Sequence, residues 1–333
     1  MLTLLTIDAL SFPENTRLGY PSCYTCHYSP TGGGLLNPYG KSTAPEISSF
    51  NFEKKQNKSD QGLSFGSDIR LIYLKTTYFE AAFPMQADFE LGLNYSKMSG
   101  VVQAGFYGKD AELKSYKGYL VYLHKNQIFR LGKFSPAFGL NHPDHKLPGR
   151  NYLGFDQRSS SFNLEYTFLS KNYSFNTTFI GGFQKQPLYN HPKKIDIFEY
   201  GDLGLGFQAN FTPKASIYQS FSAIILQDFE TSLIKKYYSL SGILGSKKIY
   251  FIYELSKEKF KKKQQTGYFK LGFMPINGLH TLYFFKKFSN SYSYGKEFIW
   301  YIVNGIEINF SLATNVSEYQ NSNDIILITH MYF

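Results

Sequence analysis

The sequence has few of the residues on which many protein classes depend. Only 18% of its 333 residues are charged, one is tryptophan and two are cysteine. Low charge combined with 18% aromatic residues excludes a disordered chain, which is charged and poor in aromatics. No apolar run reaches the roughly 18 residues of a transmembrane helix. A membrane-spanning barrel remains compatible with the mean hydropathy of -0.29, because its strands alternate apolar and polar residues.

The chain also lacks the motifs that would give its positive charge an obvious partner. The net charge is +10, which is typical of proteins that meet nucleic acid, anionic membranes or anionic solutes. There is no recognition helix, RNA-binding motif or basic face with interleaved stacking residues, so we expect no nucleic-acid partner. There is also no nucleotide-binding loop or nucleophile elbow, and we predict no enzymatic activity.

The composition divides the chain into three regions. Residues 1–12 contain an apolar run that Asp8 interrupts, and we interpret them as a signal-peptide remnant or an N-terminal strand. Residues 13–62 are rich in proline and glycine as far as Gly40, which excludes a long helix or a central strand there. Their last part is polar and charged, and we interpret it as a linker. Residues 63–333 follow a different pattern.

From about Ser64 the sequence alternates apolar and polar residues. In residues 87–96 and 202–211, one face is apolar and suits lipid, whereas the other suits a wet lumen better than a protein core. About sixteen such segments follow residue 62. The number of residues available to each segment is then close to what one membrane-spanning strand and its connection need. The pattern predicts an all-β, antiparallel transmembrane barrel of about 14–16 strands, with an irregular N-terminal segment that can plug the lumen.

The connections between these segments alternate in length, as in outer-membrane barrels with short periplasmic turns and longer outside loops. We therefore predict a bacterial outer-membrane location, surrounding lipid, and an N-terminus that is periplasmic or inside the lumen. The predicted short turns are Lys97–Gly100, His124–Gln127, Ser170–Asn172, Thr212–Ala215, Gly245–Lys248, Pro275–Gly278 and Ser311–Thr314. The predicted outside loops are Ala137–Ser161, Gln184–Gly201, Gln227–Lys235, Lys257–Gln265 and Phe288–Lys296.

The last predicted strand, Ile325–Phe333, ends on an aromatic residue. It resembles the sorting signal of bacterial outer-membrane barrels. That resemblance implies that the barrel-assembly machinery recognises Phe333.

Both cysteines lie in the pentapeptide Cys23-Tyr24-Thr25-Cys26-His27, which has the spacing of a c-type haem attachment motif. The two thiols add to the vinyl groups of one haem, and the adjacent His27 reaches the iron as its proximal ligand. The residues therefore predict one covalent haem c. A disulfide and a redox dithiol are the alternatives. A zinc site needs four ligands, and there is no second cysteine pair.

The residues after this motif are suited to a haem crevice, although a flexible glycine loop with ordinary apolar anchors explains them equally well. The glycines permit close backbone approach, and the larger side chains can pack on the porphyrin. The candidate crevice residues are Gly32, Gly33, Gly34, Leu35, Leu36 and Tyr39.

The candidate sixth iron ligands are His142 and His145, in the loop Ala137–Ser161. This is the third outside loop, which in porins commonly folds into the lumen. If the haem segment plugs the lumen, either histidine can meet the iron. The alternative is a loop histidine with a structural hydrogen bond.

Two stretches carry a resemblance to a known family. The stretch GYPSCYTCHYSPTGGGLLNPYG followed by a barrel resembles outer-membrane proteins with an N-terminal haem-binding segment. In that family a G-[KR]-F-x-P-x-[YF]-G stretch precedes an Asp-His pair, and the matching residues here are Gly132, Lys133, Phe134, Pro136, Phe138, Gly139, Asp144 and His145. The chain is also loosely similar to porin–cytochrome systems, in which haems carry electrons across the outer membrane.

Two functions follow from these features. The first is electron transfer at or across the outer membrane with periplasmic or outer-membrane redox proteins, which are required because one haem cannot span a hydrocarbon core of about 30 Å. The alternative is a porin for small solutes whose haem or disulfide segment is a plug or a sensor. A basic lumen would then favour anions. Peroxide or haem-ligand chemistry is the weakest hypothesis, because the sequence contains no distal catalytic pair.

Overall fold

The structure is a computed structural model, and its described residues form a closed barrel of sixteen antiparallel strands. No helix among them has the length and apolar character that crossing a bilayer requires. The described residues are 20, 22–48, 62–108, 112–140, 147, 149, 153–155, 159–183, 201–229, 231–260, 263–303, 305–318 and 321–332.

Each strand pairs with the next strand along the chain, and β1 closes the barrel against β16. A 3-10 helix, Cys23–Thr25, and an α-helix, α1 (Pro38–Ser48), precede the barrel. The strands are β1 (Gly62–Lys75), β2 (Glu80–Tyr95), β3 (Met98–Tyr107), β4 (Glu112–His124), β5 (Gln127–Phe134), β6 (Ser161–Leu169), β7 (Tyr173–Phe183), β8 (Asp202–Lys214), β9 (Ile217–Gln227), β10 (Ile234–Gly245), β11 (Ile249–Lys259), β12 (Lys263–Ile276), β13 (Leu279–Phe288), β14 (Ser291–Val303), β15 (Ile306–Ser317) and β16 (Asn321–Tyr332).

The alternating pattern sorts side chains between the two faces of the wall. In β8, Leu203 and Phe211 are 52% and 50% exposed on the outside, whereas Asp202 and Gln208 are buried on the inside. A period of two produces this separation, because successive strand residues point to opposite faces. The prediction of an antiparallel barrel of about sixteen strands is confirmed.

The predicted connections are only partly correct. One predicted short turn, Ser311–Thr314, lies inside β15, and the actual connection is at residues 304–305. This connection has the Asn-Gly sequence that tight hairpins favour, whereas the small polar residues of β15 continue the strand.

The later outside loops are also shorter than predicted. Only Ser289 and Asn290 separate β13 from β14, and residues 260–262 separate β11 from β12. The predicted loops Lys257–Gln265 and Phe288–Lys296 are therefore wrong in length. Lysine, tyrosine and serine at these strand ends continue the ladder, as in the pairing of Lys257 with Gln265. Long connections do occur at this end of the strands, at residues 135–160 and 184–201.

The helix α1 begins at Pro38, within a segment for which no long helix was predicted. Proline is favourable at the first helical position, where its missing N–H would have no intrahelical partner. The Oδ1 atom of Asn37 accepts the Gly40 N–H at 2.8 Å and caps the helix. The Asn-Pro pair is the sequence signal for this helix.

Several predictions lie outside the described residues. They concern the signal remnant at residues 1–12, the linker after residue 52 and the C-terminal Phe333. The strand β1 begins at Gly62, at the predicted boundary between the N-terminal segment and the barrel.

Candidate functional site in the barrel lumen

Residues 22–48, which we call the plug, contact the inner face of the barrel wall. The Tyr28 hydroxyl is 3.2 Å from Ser64 Oγ, and Lys41 Nζ donates to the Phe65 carbonyl at 2.6 Å. Gly92 of β2 faces Leu35 so closely that a Cβ at this position would collide with the leucine. The contacts are made near the short-turn end of the strands, so the plug occupies that part of the lumen.

The haem motif forms a compact turn at the start of the plug. The N–H groups of Cys26 and His27 both donate to the Cys23 carbonyl, at 3.1 and 3.0 Å. The chain then reverses, and His27 pairs with Leu36 in an antiparallel bridge. The reversal contains Gly32, Gly33 and Gly34, whose φ angles are 81°, 74° and 67°. Three consecutive left-handed residues require glycine, so these glycines have a structural role whether or not they contact a haem.

The reversal also orients the His27 ring. His27 is 1% exposed, and its Nδ1 atom lies 3.0 Å from the Gly34 carbonyl oxygen. A carbonyl oxygen only accepts, so Nδ1 carries the proton in this hydrogen bond and Nε2 carries the lone pair. A histidine that binds a metal usually has this arrangement, because the backbone contact sets its tautomer and its orientation.

Asn37 holds the haem motif against α1, and the sequence analysis missed it. Its Nδ2 atom donates to the carbonyls of Tyr24 and Thr25, at 3.1 and 3.2 Å. Gly40 lies directly over Cys26, where a Cβ would collide with the Cys26 carbonyl. One amide therefore caps the helix and satisfies carbonyls of the motif at the same time.

The two cysteines are free thiols in this structure and are not joined by a disulfide. Cys26 is 1% exposed, and Cys23 is partly exposed within the lumen. Desolvation raises the pKa of Cys23 to about 11, with the proximity of Cys26 as a second cause. Both effects disfavour the thiolate, so Cys23 is protonated at neutral pH.

One buried apolar cluster joins the plug, the third outside loop and the barrel wall. Cys26 and Leu36 belong to the plug, and Leu140 and Leu147 belong to the loop. Many inward positions at this level are aliphatic or aromatic, whereas the alternating pattern indicated an inward face that suits a wet lumen better than a protein core. The wall residues of the cluster are Tyr218, Ile243, Tyr250, Ile252, Tyr268, Leu282, Ile299, Tyr301 and Tyr332.

The third outside loop reaches the lumen, as its similarity to porin loops implied. The Leu140 N–H donates to Glu254 Oε2 at 2.7 Å, and the Gly139 N–H donates to Ser222 Oγ at 3.1 Å. In return, Gln208 Nε2 donates to the Gly139 carbonyl at 3.1 Å. Polar residues of β8, β9 and β11 thus satisfy the backbone of a loop that is buried inside the barrel.

The predicted iron ligands are not brought together within the described part of the chain. His142, Asp144 and His145 lie outside it, so the sixth ligand remains a prediction. Among the described residues, no group of three or more histidine, cysteine or acidic side chains is arranged to hold a metal ion.

The predicted crevice residues separate in the structure. Leu36 joins Cys26 in the shared apolar cluster, whereas Leu35 packs in another one with Tyr28. Tyr39 is 49% exposed. The alternation of side chains along the strand-like segment before Asn37 explains why neighbouring leucines point to different clusters.

Arg130 of β5 links the plug to the wall, and the sequence analysis did not identify it. Its guanidinium donates to Ser29 Oγ at 2.7 Å and to Thr31 Oγ1 at 3.2 Å. It also pairs with Glu165 of β6 at 2.9 Å and lies 3.7 Å from the ring centroid of Phe134. Both side chains of the ion pair are almost fully buried, and the plug supplies two hydrogen-bond acceptors to the arginine inside the barrel.

Charge is distributed unevenly between the inner wall and the rest of the chain. Although the net charge is +10, the buried side chains of the described strands include more carboxylates than cations. The carboxylates are Asp88, Glu165, Asp202, Glu254, Glu258, Glu297 and Glu307, and the cations are Arg70, Arg130, Lys270 and Lys286. The buried inward positions of the described strands are therefore not predominantly basic, whereas anion preference would need a basic lining.

The fold is that of the sixteen-stranded bacterial outer-membrane porins. The chain is similar to the anion-selective porin from Comamonas acidovorans, with a TM-score of 0.60, 9% identity, and coverage of 82% of this chain and 100% of the porin. OprB of Pseudomonas putida has a TM-score of 0.62 at 9% identity, with coverage of 82% and 95%. The channel DcaP of Acinetobacter baumannii has a TM-score of 0.55 at 8% identity, with coverage of 81% and 97%. No protein-family model and no curated protein sequence matches the chain.

The contact between Arg130 and the plug predicts the accessibility of Cys26. In haem-free protein with a Cys23→Ser background, we expect Arg130→Gln to speed maleimide labelling of Cys26 roughly 10–100-fold, because hydrogen bonds to a charged group are lost. Ser29→Ala should have a smaller effect. The double variant should label about as fast as Arg130→Gln alone, because both changes remove the same contact. Additive effects, or labelling rates equal to the background, would contradict this account.

The raised pKa of Cys23 predicts slow alkylation. At pH 8, we expect iodoacetamide to modify Cys23 of the folded, haem-free chain roughly a hundredfold more slowly than in the unfolded chain, because far less thiolate is present. The rate should rise until about pH 11, compared with about pH 9 for the unfolded chain. Since the Cys23 thiol loses its proton at a lower pH in the unfolded state, Cys23 lowers the free energy of unfolding as the pH rises from about 9 to about 11. Peptide mass spectrometry follows both states, and identical pH profiles would refute the prediction.

Proposed function

We propose that this protein is a gated channel of the bacterial outer membrane. The barrel passes small solutes, and the plug together with the third outside loop closes it. The observation that carries this proposal is the buried cluster in which Cys26 and Leu36 of the plug meet Leu140 and Leu147 of the loop. The porin fold supports a channel, because barrels of roughly 16–18 strands are wide enough for an aqueous path.

Opening requires the plug to leave contacts that favour the closed state. Leu36 is 4% exposed in the cluster, and moving one such leucine into water costs about 1.5–3 kcal/mol. Arg130 must also exchange Ser29 and Thr31 for water. Since several contacts break together, the closed state is favoured and openings are infrequent. A ligand or partner that binds only the displaced plug would increase their frequency.

The inner charges favour cationic or neutral solutes over anions. Anion selectivity belongs to the named porin from Comamonas acidovorans, and it does not transfer to this chain. Carboxylates outnumber cations among the buried inward side chains, and Arg130 and Lys270 are themselves paired with Glu165 and Glu297. Fixed negative charge in a narrow path raises the local concentration of cations.

We further propose that the plug carries one covalent haem c. Cys23 and Cys26 would hold it through thioether bonds, and His27 would bind the iron. The absence of a disulfide between Cys23 and Cys26 and the contact of His27 Nδ1 with the Gly34 carbonyl support this assignment, because the thiols are reduced and the tautomer is the one that an iron-binding histidine needs. Such a group supplies one-electron chemistry or ligand binding. The chain's own contribution is to orient His27 and to hold both thiols within the lumen.

Electron transfer to periplasmic or outer-membrane redox proteins remains a prediction. It depends on the haem and on partners, whereas channel function depends on the barrel and on the plug. We therefore propose channel function as the main role of the protein and the haem as a group that the plug carries.

Conductance in planar bilayers tests the channel. Leu36→Asp places a charge in the buried cluster, and we expect it to raise the open probability strongly without changing the single-channel conductance. In a potassium chloride gradient, the reversal potential should indicate preference for potassium. Tyr39→Asp is the matched control, because it adds the same charge at a half-exposed plug position and should behave as the unaltered chain. A folded Leu36→Asp barrel that stays closed would refute gating by the plug.

Pyridine haemochrome analysis of protein purified from outer membranes tests the cofactor. We expect a c-type spectrum with one haem per chain, and loss of the two-thioether spectrum in Cys23→Ser and Cys26→Ser. His27→Ala should retain covalent haem with an altered spectrum, because only the iron ligand is removed. Absence of covalent haem in the unaltered protein would refute this assignment and leave the channel proposal standing.

A further inference from the structure

Exposed lysines of neighbouring strands form one patch on the outer wall of the barrel. Lys236 of β10 lies directly opposite Lys259 of β11, and Lys257 lies opposite Tyr238 in the same strand pair. Lys236 and Lys259 are exposed, and Lys257 is partly exposed. Lys287, two strands further along, is exposed near the same end of the barrel. We call these four lysines the lysine patch.

This arrangement is unfavourable without an anion. Residues directly opposite each other on one face have their Cβ atoms roughly 5 Å apart, and like charges in such pairs are destabilising. No aspartate or glutamate occupies an outward position in the described residues of β10 to β13. Glu254 and Glu258 of β11 are buried on the inward face. The described outward face of these strands therefore supplies no counter-charge to the lysines.

The surroundings of the patch match those of a lipid headgroup. The patch lies at the long-loop end of the strands, opposite the end that holds the plug. Leu240 and Leu255 lie on the same outward face, nearer to the middle of the barrel's height, and are 46% and 45% exposed. The Lys259 Nζ atom is 5.7 Å from the centroid of the Tyr238 ring, which places an aromatic residue between the charged and the apolar zones. Aromatic residues at this level are typical of the membrane interface.

We propose that the lysine patch binds the phosphate groups of an anionic lipid in the outward-facing leaflet. The lysines contact the phosphate oxygens, and the acyl chains lie along Leu240 and Leu255. The proposal rests on the outer-membrane location and orientation of the proposed function.

Lipid binding to the intact protein in detergent micelles tests the proposal. Phosphatidylglycerol is the probe, with phosphatidylcholine and inorganic phosphate as comparison ligands, and native mass spectrometry measures occupancy. The variant is Lys236→Gln/Lys257→Gln/Lys259→Gln. The matched control, Lys97→Gln/Lys171→Gln/Lys248→Gln, removes three exposed lysines at the short-turn end. The corresponding Lys→Arg triple variant keeps the patch charge, and circular dichroism confirms that each barrel is folded.

We expect the patch variant to bind phosphatidylglycerol on the order of a hundredfold more weakly at low ionic strength, since each lysine near an anionic lipid contributes to affinity. The short-turn control and the arginine variant should bind as the unaltered protein does, and salt should weaken binding. Equal losses in the patch and control variants would overturn the proposal. So would equal binding of phosphatidylcholine, or full competition by inorganic phosphate. This measurement is independent of conductance, so failure of the channel and failure of the lipid site are distinguishable.

Discussion

The rest of the structure depends on the hydrogen bonds between β1 and β16. In hydrocarbon, an open strand edge would leave a row of N–H and C=O groups without partners, each at a cost of several kcal/mol. The pairing of Asp68 with Tyr332 and of Lys75 with Ile325 at its ends removes that edge. Closure then divides every strand into an outward apolar row and an inward row. This division creates an enclosed volume that can hold the plug apart from both lipid and the outside solution.

The enclosed volume is partly filled, and its filling has the character of a protein core. Inward Ile243 and Ile252 pack with the plug and the third outside loop, whereas Arg130 and Glu254 satisfy the polar groups that those segments bring inside. Apolar contacts give the closed arrangement its stability, and the buried polar contacts give it a defined position, because a misplaced plug would leave them unsatisfied. The positions of the plug and of the loop are thus consequences of one packing arrangement.

Sequence patterns predicted the structure best where a local pattern has one geometrical meaning. A period of two fixes the faces of a strand, so the barrel and its lipid-facing side followed from residues such as Leu203 and Phe211. Prediction was poorer at strand ends. Lys257 and Ser311 are polar residues that pair within strands, and polarity does not distinguish a loop from a strand that extends past the bilayer. The helix at Pro38 was missed because proline was interpreted as a breaker and not as a first helical residue.

The sequence by itself determined the class of fold, because strand periodicity is a local property, whereas the haem that the spacing of Cys23, Cys26 and His27 indicates stays a prediction. Only the tertiary structure decided that these residues lie in the lumen, that Arg130 contacts Ser29, and that Leu36 meets Leu140. These contacts join residues far apart in the chain, and no local pattern encodes them. The same holds for the separation of charge between lumen and outer wall, since it depends on the face to which each residue points once the barrel has closed.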